Sequence, residues 1–112
     1  MSLLYDALRA FGAGAAVACV ASAIAFAVPA EQHITIDNFS FKAPTLTVPV
    51  GTTVVWQNDD DIAHNIVALD GTFRSAALDT EDKFTFLFKE AGTFEYFCSL
   101  HPRMRGEVVV TP

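Results

Sequence analysis

Cysteine is nearly absent from this 112-residue chain, which holds only Cys19 and Cys98. Cys19 falls in an apolar N-terminal stretch. The segment from Glu31 to Pro112 therefore has a single thiol and cannot close a disulfide of its own. It also lacks the second cysteine that would complete a structural zinc set beside one Cys-His pair. Basic charge is scarce as well. Seven Lys and Arg face thirteen Asp and Glu, for a formal net charge of −6. Beyond residue 30 the balance is six to twelve, with no basic stripe, and this excludes nucleic acid as a partner. Methionine occurs only at Met1 and Met104. After residue 31 there is no sustained helical periodicity, internal repeat or low-complexity run.

What is present begins with an uncharged run from Ala10 to Ala30, preceded by Asp6 and Arg9. It ends Ala27-Val28-Pro29-Ala30 before Glu31-Gln32, a pattern that predicts signal-peptidase cleavage between Ala30 and Glu31. The same run is long enough, if slightly extended, to stay as a membrane anchor. The organisation expected is a leader over 1–30, signal peptide or anchor, and one domain over 31–112. On either reading the domain works in the periplasm or another extracytoplasmic space. It meets a membrane only if the leader is kept.

The domain reads as all-β. Ile34 and Ile36, then Phe39 and Phe41, mark a first extended stretch. Leu46, Val48 and Val50 alternate, and Gly51 turns the chain into Thr52–Gln57. Asn58-Asp59-Asp60-Asp61 reads as a polar loop. Asn65–Leu69 is short and apolar, before the turn signal Asp70-Gly71. Phe84, Phe86 and Phe88 share one face, as do Phe94, Tyr96 and Cys98. Glu107–Val110 closes the domain, and Ser75–Asp82 carries no clear pattern. Short strands at regular spacing with turns between them predict a β-sandwich.

Chemistry concentrates near the C-terminus, where Cys98, His101 and Met104 follow one another at steps of three. Cys98 ends an inward-facing row, and His101 and Met104 are expected on a tight loop stopped by Gly106. His64 reaches the same place from a separate loop. Singly, each has an ordinary role: surface histidine, core methionine, buried thiol. One metal ion accounts for all four. One thiolate, two imidazoles and one thioether are the donors of a blue-copper electron-transfer site, with methionine as a weak axial ligand. Soft sulfur favours Cu(I) and imidazole suits both oxidation states, so the set tolerates a one-electron change with little movement.

The run Cys98-x-x-His101-x-x-Met104, with His64-Asn65 upstream, resembles the cupredoxin family of type 1 copper proteins, such as amicyanin, plastocyanin and pseudoazurin. The step of three looks most like the short ligand loop of amicyanin. The resemblance covers about Gln32 to Val110. It implies a Greek-key β-sandwich of about eight strands, one copper ion, and His64, Cys98, His101 and Met104 as ligands. It further implies that Asn65 and Ser99 join the two ligand loops and donate hydrogen bonds near the Cys98 sulfur. Two positions depart from amicyanin: Ala63 stands where it has proline, and Arg103 where an apolar residue is usual.

The expected function is to carry single electrons between extracytoplasmic redox proteins, a donor and an acceptor, as a monomer that is not an enzyme. Phe97 and Ser99 flank Cys98, so no adjacent histidine wires it to a catalytic copper. A binuclear copper centre would need a second cysteine. The alternative is a periplasmic copper carrier or store, which the scarcity of methionine disfavours. Docking is expected around His101, through Leu100 and Pro102, with Arg103 and Arg105 placing positive charge beside them.

Overall fold

The computed structural model describes residues 30–112; the leader 1–30 therefore lies, but for Ala30, outside the described residues. Eight strands follow in order: β1 (Glu31–Asp37), β2 (Ser40–Phe41), β3 (Thr45–Pro49), β4 (Thr53–Asn58), β5 (Val67–Ala68), β6 (Lys83–Leu87), β7 (Gly92–Cys98) and β8 (His101–Thr111). They form two four-stranded sheets, ordered β2-β1-β4-β6 and β3-β8-β7-β5. The chain changes sheet after β2, β3, β4, β5 and β6, as the crossing connections of a Greek-key sandwich require. The pairs β1–β4 and β3–β8 are parallel, and the remaining pairs are antiparallel.

The alternating rows predict the core well. Ile34, Ile36, Val48, Val54, Trp56, Phe88, Tyr96, Cys98, Val108 and Val110 are buried between the sheets. Phe84, Phe86 and Phe94 pack partly buried against them. Trp56 and Tyr96 meet edge to face at the centre, with ring centroids 5.5 Å apart. Gly106 sits against the Tyr96 ring, and any Cβ there would collide with it. Gly51, at φ 93°, turns β3 into β4 in a conformation that other residues disfavour.

Four details depart from the sequence-based expectations. Phe39 interrupts the first extended stretch: Asn38 and Phe39 form the β1–β2 turn with φ of 51° and 56°, and the Phe39 side chain is exposed. Val50 lies past the end of β3 and is also exposed. The polar loop after β4 is not wholly solvated, because Asn58 and Asp60 are buried. The closing strand starts at His101 instead of Glu107, so His101 and Met104 belong to a strand and only Ser99-Leu100 form the turn.

Register defines the two ends. Glu31 pairs with Thr53, whereas Ile36 pairs with Asn58, next to the loop that leads to His64. Thus β1 enters at one pole and its turn reaches the other, about 20 Å away at the usual rise of a strand.

Burial pushes the Tyr96 hydroxyl up to about 12. The Trp56 indole lies against that hydroxyl without reaching hydrogen-bond geometry. The phenol stays neutral in the fold but ionises near its ordinary value in the unfolded chain. Its contribution is full below about pH 10 and is lost as pH rises toward 12, at most about 2–3 kcal/mol. Urea unfolding across pH 9–12 should show this decline, and Tyr96→Phe should flatten it.

Candidate metal centre

Two loops and one strand end build the site. Cys98 is the last residue of β7 and is fully buried. It pairs with His101 across the Ser99-Leu100 turn. The next pair is Phe97 with Arg105, which leaves Pro102, Arg103 and Met104 as unpaired residues on β8. In a regular strand residues three apart face opposite ways. This bulge frees Met104 from that rule, and its side chain is buried in the same cluster as Cys98. His101 beside it is half-buried.

His64 is fully buried on the β4–β5 connection and held by backbone bonds on both sides. Its N–H donates to the Leu78 carbonyl at 3.1 Å, and Leu78 N–H donates to its carbonyl at 2.7 Å. The segment before it is organised by Asn58. The Asn58 amide donates to the carbonyls of Ile62 at 2.9 Å and Leu78 at 2.8 Å, and its oxygen accepts from Asp60 N–H at 2.9 Å. Sequence reading passed over Asn58, Asp60 and Leu78. Their signal was weak: an Asp-rich loop normally stays in water, and Leu78 lies in the stretch without a clear pattern.

Asp60 decides how His64 points. Oδ2 accepts from Phe39 N–H and from His64 Nε2, both at 2.9 Å. The Phe39 N–H and then the His64 ring hold this carboxyl below its ordinary value. As an ionised acceptor it requires the proton on Nε2, leaving the Nδ1 lone pair free. Nδ1 is the atom that faces Cys98.

The Cys98 sulfur lies 3.8 Å from His64 Nδ1 and 3.8 Å from His101 Nδ1. The three donor atoms fall within 4.8 Å of one another. These separations would let one ion take the sulfur and both nitrogens, and Met104 is buried in the same cluster as Cys98. One thiolate, two imidazoles and a thioether are the donors of type 1 copper, so the residues fit that ion.

Asn65 and Ser99 tie the two loops together. Asn65 Nδ2 donates to Ser99 Oγ at 2.7 Å, and Ser99 N–H donates to Asn65 Oδ1 at 2.8 Å. Asn65 N–H points at the Cys98 sulfur, 3.4 Å away. Around the rim, Leu100, Pro102, Arg103 and Arg105 are all exposed. Arg103 and Arg105 form no ion pair among the described residues.

Asn65→Ala removes both clamp bonds and leaves the Ser99 N–H unpaired, so it should cost about 1–3 kcal/mol of stability. Chemical denaturation of the metal-free protein measures this directly.

The family model for a Cupredoxin-like domain matches residues 10–110. Amicyanin of Paracoccus denitrificans is 39% identical over 115 residues, covering 92% of this chain and 88% of its own. Among solved structures, a novel purple cupredoxin from Nitrosopumilus maritimus superposes with a TM-score of 0.68 at 37% identity, over 71% of this chain and 99% of its own. A reduced-state amicyanin variant gives 0.69 at 32% identity, over 76% and 86%. The two-sheet architecture, the His-Cys-His-Met cluster suited to one type 1 copper ion, and these relatives agree: the chain belongs to the cupredoxin family.

Proposed function

We propose that this protein carries single electrons between extracytoplasmic redox proteins, with His64, Cys98, His101 and Met104 holding one type 1 copper ion. The observation that carries the reading is the preassembled donor triad, with two imidazole nitrogens each 3.8 Å from one thiol sulfur. Bound there, copper supplies a one-electron Cu(II)/Cu(I) couple. The chain contributes rigidity. His64 is fixed by Asp60 and two backbone bonds, and Cys98 receives the Asn65 N–H. Donors that are already in place need little rearrangement when the charge on the ion changes. Such donor positioning suits electron transfer better than a copper carrier or store, since His64 and Cys98 are fully buried and cannot hand a metal to a partner directly.

His101 is the ligand nearest solvent, so electrons enter and leave through it. Leu100, about half exposed at 50%, and Pro102 flank it with apolar surface. Arg103 and Arg105 add positive charge, and Lys42 lines the same groove as both arginines. On a protein of net charge −6, this places the local positive field at the electron port. The donor or acceptor that docks there presents an acidic rim. The leader exports the chain, which then acts as a monomer. The chain enters β1 at the pole opposite the copper site.

Cys98→Ser should abolish the intense visible band that Cu(II) produces in the wild-type protein, because that band needs a copper–thiolate bond. A variant that stays blue would remove Cys98 from the site. Met104→Gln should retain copper but show a lower potential by cyclic voltammetry, since an oxygen donor favours Cu(II). Arg103→Glu with Arg105→Glu should slow stopped-flow electron transfer to an acidic partner about tenfold or more at low salt, and converge with wild type at high salt. Equal rates at low salt would leave only the apolar surface in the docking model.

A further inference from the structure

Phe39 has an unusual place for a large apolar residue. It is 45% exposed and its φ is 56°, directly after Asn38 at 51°. Bulky side chains avoid this left-handed region, and such outliers persist where the surroundings hold them. What holds this one is the site itself. The Phe39 N–H donates to Asp60 Oδ2, the oxygen that also takes the His64 Nε2 proton.

The ring then meets both imidazoles. Its centroid is 5.4 Å from that of His64 and 5.0 Å from that of His101, with interplanar angles of 88° and 85°. The two imidazoles are themselves 4.8 Å apart. Among the described residues, the rings that Phe39 packs against are both site histidines, and the core aromatics pack with one another. Phe39, Met104 and Arg103 line two surface depressions, and His101 lines one of them.

We infer that Phe39 is a positioning residue acting as a lid: its ring covers the two imidazoles, keeps small solutes from the donor atoms, and holds His101 against rotation. The inference rests on the copper reading above. A lid of this kind lets His101 remain near the surface with its ring covered on one side. It also explains why a strained turn is kept at a position where a glycine or asparagine would relieve the strain.

Two measurements test it. In metal-free protein, diethylpyrocarbonate acylates accessible histidines, and mass spectrometry locates the adduct. Exposed His33 serves as the internal reference. In Phe39→Ala the rate at His101, relative to His33, should rise about tenfold, while Phe39→Tyr should match wild type. Phe39→Ala keeps the backbone bond to Asp60, so the turn should survive. Phe39→Leu, which keeps apolar bulk, should fall between the two. Equal His101 rates in wild type and Phe39→Ala would overturn the lid.

The second measurement titrates azide into the Cu(II)-loaded proteins and follows the visible spectrum. Wild type and Phe39→Tyr should show little change, whereas Phe39→Ala should saturate at azide concentrations about tenfold lower or less. Identical titrations would overturn the shielding role. Failure of wild type to develop the blue band would instead strike the copper reading, and the acylation rates would still decide the lid.

Discussion

One carboxylate oxygen, Asp60 Oδ2, accepts two hydrogen bonds from opposite sides of the sandwich end, one from the Phe39 backbone and one from His64 Nε2. The first bond fixes the β1–β2 turn against the β4–β5 connection. The second fixes the tautomer and direction of His64, so that its free Nδ1 faces the Cys98 sulfur. Because the same atom serves both, the position of the first histidine and that of the Phe39 ring above it are not independent. Asp60 is placed in turn by Asn58, whose side chain closes the loop, and by the Thr80 hydroxyl, which donates to its carbonyl at 2.7 Å.

The other half of the donor set is built differently. Cys98 and His101 are brought together by a tight turn between two long antiparallel strands, and a bulge on β8 admits Met104 to the buried side. Asn65 and Ser99 then zip this hairpin to the His64 segment with two short hydrogen bonds. Beneath both halves lies an aromatic core in which Trp56, Phe73, Phe88 and Tyr96 pack ring against ring. Such a base holds the donor residues in place. This is the property that a rapid one-electron site requires, because rearrangement on each charge change would slow it.

Charge is distributed to match. The chain is acidic overall, yet Lys42, Arg103 and Arg105 line one groove together with Phe39 and Met104. In the docking proposed above, the apolar surface around His101 would permit close approach and this positive field would select the approaching face. Arg103 and Arg105 are carried on the bulged start of β8, so the irregularity that seats Met104 also displays these cations.

The sequence by itself determined the alternating strands, the single thiol and the step from Cys98 through His101 to Met104. Each is a local pattern: period-two burial shows in Phe84, Phe86 and Phe88, and a donor set shows in residue types at short spacing. It also made His64 a candidate, through the chemistry of the set and the family resemblance. What only the tertiary structure decided is non-local. Asp60 read as one acid among several in a polar loop, and its burial depends on Asn58, Phe39 and Thr80, the first nearby and the others about twenty residues away in either direction. Leu78, in the stretch without pattern, became the backbone partner of His64. Phe39 read as part of a first extended stretch, whereas a left-handed turn aims it at the histidines. Alternation reports which face of a regular strand a residue occupies. It carries no information about turns whose conformation is fixed by hydrogen bonds from residues distant in sequence, and there the orientation of the donors was settled.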